Sequence, residues 1–110
     1  MNIDELTYGQ IKEIASVINK QEDIETFLKI GNKYFVRTVT FHQVGLLKAT
    51  NSKELLLSDA SWIADSGRFN ECLKTGKFDE VEPFVNDVVV NRDAIVDITE
   101  WDHDLPNVVK

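Results

Sequence analysis

The sequence predicts a small, mainly β protein with helical additions, and three observations lead to this prediction. Apolar and polar residues alternate from Tyr34 onward, a helix-start signal precedes that region, and a second β-branched group lies near the C-terminus. The chain has 110 residues, which favours one domain spanning 1–110. Its composition, 43% hydrophobic and 28% charged, is typical of a globular protein rather than a disordered one.

Residues 1–32 are predicted to form an N-terminal helical region. Thr7 is followed three positions later by Gln10, which fits a capping box, so a helix is expected from Tyr8 to about Asn19. A second amphipathic segment at 22–31 is either a helix of two turns or an ordered linker.

Strands are predicted in two groups, within 33–58 and 87–101. Period-two alternation and turn residues place the first three strands at 34–41, 44–50 and 54–60. The segment VVVNRDAIVDI predicts a hairpin, with strands at 88–90 and 94–98 joined by a turn at 91–93.

Between the two strand groups, residues 59–86 are predicted to form a helical insertion between strands 3 and 4. In ASWIADSGRFNECLKTGKF, the apolar residues Trp62, Ile63, Phe69 and Leu73 recur at roughly helical spacing. This spacing indicates one or two short helices that project from the strands.

Two segments resemble the motifs of Sm proteins. VRTVTFHQVGLLKATNSKELLLSDA is similar to the first Sm motif, with Gly45 and Leu47 at its Gly-x-Leu step. VVVNRDAIVDI is similar to the second, in which Arg92 matches the arginine and Asp93 replaces the glycine. The resemblance implies a five-stranded Sm-like or SH3-like barrel, from which the 59–86 insertion departs. It also implies a homo-oligomer, because such barrels cover their strand edges by pairing between subunits.

A second resemblance covers nearly the whole chain. ELTYGQIKEIA, VRTVTFHQVG, DASWIADSGRF, EVEPF and AIVDITEW are similar to small proteins encoded by phages and prophages. This resemblance implies a phage accessory protein in the host cytoplasm, and it transfers no catalytic residue.

The charge distribution disfavours binding to extended nucleic acid. The net charge is −7, and the excess lies in residues 56–110, with twelve acids against five bases. An acidic protein repels a phosphate backbone at long range, although a local arginine pocket remains compatible with it. No apolar run approaches the roughly 18 residues of a membrane span, and no signal peptide is visible, so we expect a cytosolic protein.

No motif predicts catalysis, a metal or a cofactor. The serines and Cys72 lack a nucleophile motif, and no glycine-rich phosphate loop is present. We therefore expect a non-enzymatic protein in which Cys72 is an inert, partly buried small hydrophobe. Asp102, His103 and Asp104 are adjacent, which rarely lets side chains converge on one ion, so a solvated tail is expected there. His42 is expected to be a surface imidazole at a turn.

The candidate ligand-binding residues are aromatic and charged. Arg37 lies on the apolar face of its strand, so it must pair with an acid such as Asp59 or Asp97, reach a rim, or contact a ligand. Trp62 is either a core or interface residue or a pocket wall. The hypothesis is a rim in which this ring stacks on a nucleotide and arginines bind the phosphate. Its members are Trp62, Asp65, Arg68 and Arg92.

Three functions are compatible with these residues. The first is a phage accessory protein that counters host defence by sequestering a nucleotide-type signal or by blocking a host protein. The second is an Sm-like RNA-binding ring. The third is a minor structural or assembly protein of a virion.

Overall fold

The computed structural model describes residues 26–110, which form one antiparallel sheet with a short helix. The predicted helix at 8–19 lies outside the described residues. Within the segment 22–31, residues 26–31 contain no helix and reach a turn at Gly31. The elements, in chain order, are β1 (Lys33–Thr38), β2 (His42–Thr50), β3 (Glu54–Asp65), α1 (Phe69–Thr75), β4 (Glu80–Pro83), β5 (Val88–Asn91), a 3-10 turn (Arg92–Ala94) and β6 (Ile95–Glu100).

Within residues 26–110 the sheet has six strands rather than the five expected, and the long strand β3 pairs with three of the others. The strand order is β4-β3-β2-β1-β6, and β5 also pairs with β3. One edge of β3 pairs with β2. The other edge pairs first with β5, along 54–57, and then with β4, along 61–65. Strands β4 and β5 therefore act as one interrupted partner of β3.

A bulge lies where β2 crosses the middle of β3. The register shifts between Val44 and Leu46, opposite Asp59 and Ala60. Asp59 has a φ of 49°, a left-handed conformation that aspartate tolerates better than most residues. A Cβ on Gly45 would lie 3.0 Å from the Cβ of Ala60, so glycine allows the two strands to approach closely here. Gly45, the glycine of the Gly-x-Leu step, thus lies at the irregular point of the sheet.

Each face of the sheet carries a buried cluster. Successive side chains of a strand point to opposite sides, so one strand contributes to both clusters. The inner cluster consists of Tyr34, Val36, Leu47, Leu55, Leu57, Ala60 and Val90. The outer cluster consists of Phe35, Val44, Ile63, Cys72, Phe78, Val81 and Trp101. Helix α1 and the residues after β6 supply the cover of the outer cluster.

The prediction that the strands at 88–90 and 94–98 pair with each other as a hairpin is wrong. Strand β5 pairs with β3 and β6 pairs with β1, so the two consecutive strands do not pair with each other. The intervening residues form a 3-10 turn, in which the Asn91 side chain accepts a hydrogen bond from the Asp93 amide. A 3-10 turn changes the chain direction without aligning its flanking strands, and the local sequence does not distinguish it from a hairpin turn.

Most of the predicted helical insertion is not helical. Strand β3 continues to Asp65, and residues 61–64 alternate between buried and exposed, so the Trp62-Ile63 pair belongs to a strand. Within the predicted insertion, only the seven residues of α1 are α-helical. This helix ends at Thr75 and is capped by Gly76, which has a φ of 75°. Within residues 26–110 no helix is long and apolar enough to cross a membrane.

The contact between Gly76 and His103 generates the first prediction. A Cβ on Gly76 would lie 2.5 Å from the Cγ of His103, and the left-handed backbone adds a strain of about 1–3 kcal/mol for a non-glycine residue. We expect Gly76→Ala to lower the free energy of unfolding by more than this backbone strain. In urea denaturation, the double variant Gly76→Ala/His103→Gly should be less destabilised than the sum of the two single variants, because glycine at 103 removes both the Cβ and the Cγ that the new methyl group would meet at 2.6 and 2.5 Å. Additive effects would contradict the contact.

Candidate functional site

The turns β2–β3 and β5–β6 lie together and form one polar surface, which we call the loop surface (residues 50–54 and 91–93). Arg92 Nη1 donates to the Asn51 carbonyl at 2.5 Å, and the Arg92 amide donates to the Lys53 carbonyl at 2.9 Å. The Asn51 side chain accepts from the amides of Lys53 and Glu54, both at 2.7 Å. Arg92 therefore ties the two turns into one unit.

The loop surface retains unused hydrogen-bonding groups. Arg92 is half-buried, and only its Nη1 nitrogen has a side-chain hydrogen bond within the described part of the chain. A cavity of about 400 Å³ is lined by Lys53, Glu54, Val89 and the two sequence neighbours of Arg92, Asn91 and Asp93. The cations Lys53 and Arg92 face an equal number of acids, Glu54 and Asp93, so the surface is polar without a large net charge.

The hypothetical rim of Trp62, Asp65, Arg68 and Arg92 is not formed within the chain. Glu54, at the start of β3, pairs with Asn91 beside Arg92, whereas Asp65, at its end, pairs with Glu80. Twelve residues of strand, at roughly 3.3 Å each, separate the two ends. Arg68 follows the far end, where it is exposed and precedes α1 without a side-chain capping bond.

Trp62 lines a pocket instead of filling the core. The residue is 36% exposed, and the pocket, of about 390 Å³, is lined by Phe41, Gln43, Trp62, Phe84 and Val88. We call this the aromatic pocket. No sequence argument selected Phe41, Gln43 or Phe84. Gln43 and Trp62 are neighbours because the register of β2 and β3 places them opposite each other. This register depends on long-range strand pairing, which the local sequence pattern does not reveal.

Arg37 pairs with Asp97, one of its two expected partners. Nε donates to Oδ1 at 2.8 Å and Nη2 donates to Oδ2 at 2.5 Å. The guanidinium also lies 4.6 Å from the centroid of the Phe69 ring. Its hydrogen bonds hold the pKa of Asp97 below its usual value. Arg37 thus joins β1, β6 and α1, and its charge is already engaged.

The residues after β6 are packed rather than forming a solvated tail. Trp101 is buried and stacks on Phe78 at 5.1 Å between centroids. His103 Nε2 lies 2.8 Å from the Leu73 carbonyl and contacts the Trp101 ring edge-on. Asp102 and Asp104 are exposed, and no group of three potential metal ligands occurs in residues 26–110.

His42 is not a surface residue of a turn. It lies in β2, is half-buried, and its ring lies 5.8 Å from that of Phe35. The turn that was predicted at 42–43 lies three residues earlier, at 39–41.

Comparison with known proteins yields only distant structural similarity. No family model and no curated protein sequence matches the chain. A heptameric archaeal Sm protein aligns over 64% of this chain and 87% of its own, with 22% identity and a TM-score of 0.47. The SmAP1 heptamer of P. aerophilum aligns over 77% of this chain and 92% of its own, with 20% identity and a TM-score of 0.49. Both scores are below 0.5, so the inferences that follow depend on this chain's own strands and side chains.

The Arg37–Asp97 pair generates the second prediction. We expect Arg37→Ala to lower the midpoint of thermal unfolding more than Lys48→Ala does. Arg37 makes two hydrogen bonds and covers an aromatic ring, whereas Lys48 makes a single exposed contact with Asp87 at 3.0 Å. Equal shifts in the two variants would contradict a structural role for Arg37.

The buried thiol of Cys72 generates the third prediction. Burial, with a smaller contribution from the Asp79 charge, raises the pKa of Cys72 from 9.0 to about 11. Between these pH values the thiol of the unfolded chain loses its proton while that of the folded chain keeps it. The free energy of unfolding therefore falls as the pH rises. In urea titrations at pH 8 and pH 10.5, the unsubstituted protein should lose more stability than Cys72→Ala. An identical loss in both would contradict the raised pKa.

Proposed function

We propose that this chain is the subunit of an Sm-like homo-oligomer whose loop surface binds single-stranded RNA. The observation that carries the proposal is the Arg92–Asn51 bond, which unites the two turns and leaves guanidinium donors available. The resemblance of the sequence to both Sm motifs supports it, because the two motifs contribute Asn51 and Arg92 to the same surface.

The strand edges support self-assembly. The edge of β4 is covered, since Val81 and Lys110 exchange backbone hydrogen bonds of 2.9 and 3.2 Å. Strands β5 and β6 each pair on one side only within residues 26–110. Both carry an exposed valine, Val89 at 59% and Val96 at 64%. Open edges with apolar side chains favour pairing with another chain, and β5 of one subunit with β6 of the next would generate a ring.

The charge of the protein constrains how RNA would bind. With a net charge of −7, phosphate attraction cannot supply most of the affinity. Arg92 and the other groups of the two turns would have to form hydrogen bonds with bases or sugars. Each such site would bind weakly, and several sites around a ring would together raise the affinity for one RNA. We therefore expect binding that depends on the length of the RNA and only weakly on salt.

Sequestration of a nucleotide-type signal by a phage accessory protein is the second candidate function, and it uses the same Arg92. The length of the ligand distinguishes the two. A mononucleotide would saturate a sequestering protein, whereas a ring should prefer an oligonucleotide that reaches several subunits. Phage origin, the blocking of a host protein and a virion role stay predictions.

Separate variants of the two arginines generate the fourth prediction. Fluorescence anisotropy with a labelled ten-nucleotide oligo(U) should show that Arg92→Ala weakens binding about tenfold or more, since a charged hydrogen bond contributes ~1.5–3 kcal/mol. Arg68→Ala is the matched control, because it removes the same charge at the other end of β3 and should bind normally. Lys53→Gln, which leaves the Arg92–Asn51 bond intact, should also weaken binding.

Three results would contradict the proposed function. They are no binding to oligo(U) or oligo(A), equal losses in Arg92→Ala and Arg68→Ala, and mononucleotide binding as tight as that of the oligonucleotide. The last would favour sequestration. Melting curves of each variant separate a lost contact from a lost fold.

A further inference from the structure

A single row of side chains leads from the inner cluster to the aromatic pocket. Cross-strand partners place Ile98, Val36, Gln43, Trp62 and Glu82 opposite one another on successive strands. Directly opposed residues of antiparallel strands share one face of the sheet. The row passes from core residues, through the half-buried Gln43, to the exposed carboxylate of Glu82.

The three rings of the pocket are available to a ligand. Phe41 is 51%, Trp62 36% and Phe84 41% exposed. Within residues 26–110 these rings make no aromatic pair with one another, in contrast to Phe35, Phe78 and Trp101 in the outer cluster. The volume of about 390 Å³ lies between them and matches that of a small-molecule site.

Gln43 adds an unmet hydrogen-bond acceptor to the pocket. Its Oε1 is buried, and no described group donates to it. Leaving such an atom unpaired is unfavourable, so a ligand that donates a hydrogen bond after rotation of the amide would gain from pairing with it.

The charges around the pocket favour a cation. Among residues 26–110, no Lys or Arg lines the pocket. Arg37 lies against Phe69 on the outer face, and Arg92 lies at the far end of β3. Lys48, the cation bound to Asp87 beside Val88, is already paired. Glu82 has no salt bridge within the described chain, so a phosphate would meet repulsion here and a cation would meet attraction.

We propose that the aromatic pocket binds a small organic ammonium ion that carries a hydroxyl or N–H donor. Phe41, Trp62 and Phe84 would contact the cation through their ring faces, which attract positive charge. Glu82 would supply the opposite charge at the rim, and Gln43 Oε1 would accept the hydrogen bond. The site is separate from the loop surface, and its existence does not depend on RNA binding.

Calorimetry with choline and its neutral carbon isostere, 3,3-dimethylbutan-1-ol, tests the proposal in the full chain. The two molecules share shape and hydroxyl group and differ in charge. Choline should bind severalfold more tightly, as expected for cation–π contacts with partly exposed rings. Equal affinity for the two, or no choline binding up to millimolar concentration, would overturn the proposal. Preference for uridine monophosphate over choline would also overturn it.

Variants locate the site. Glu82→Gln should weaken choline binding severalfold and leave the isostere unchanged. Glu71→Gln is the matched control, since it removes an exposed carboxylate from α1. Gln43→Leu should weaken choline and the isostere alike, because it removes the acceptor that both hydroxyl groups use. If Glu71→Gln reduces choline binding as much as Glu82→Gln does, the effect is one of net charge and the assignment of the pocket is wrong.

Discussion

The close approach of β2 and β3 at Gly45 is the constraint on which the rest of the structure depends. Any side chain at this position would meet Ala60, and the register shift places the extra residue of the bulge at Asp59. The shift lies in the middle of β3, at the point where the opposite edge of that strand passes from β5 to β4. Its two halves belong to different parts of the molecule: the first contributes Leu55 and Leu57 to the inner cluster, and the second contributes Ile63 to the outer cluster.

This division also separates the two candidate ligand surfaces. The loop surface lies at the β5 end of β3 and offers hydrogen-bond donors from Arg92. The aromatic pocket adjoins the β4 half and combines rings with the carboxylate of Glu82. An anion and an organic ammonium ion would therefore bind at different places, and Trp62 cannot stack on a nucleotide whose phosphate is held by Arg92 of the same chain.

Local signals predicted part of this arrangement. The turn at Asn51–Lys53 has residues that bond their own backbone, and the pairing of Arg37 followed from a charge on an apolar face. The pairing of β5 and β6 was missed because a 3-10 turn and a hairpin turn use the same residues. The extension of β3 was missed because Trp62 and Ile63 are adjacent apolar residues, which hides period-two alternation. The aromatic pocket depends on strand register, which one sequence does not specify.

Within residues 26–110, β5 and β6 each pair on one side only, and we propose that their open edges pair between copies of the chain. Amide hydrogen exchange of these two strands, measured at increasing protein concentration, tests it most directly. About half of the amides in each strand point away from β3 or β1. We expect these amides to become protected as the concentration rises, while those bonded to β3 and β1 stay protected throughout. Rapid exchange of the outward amides at every concentration, together with a mass of 12.5 kDa in solution, would contradict the claim.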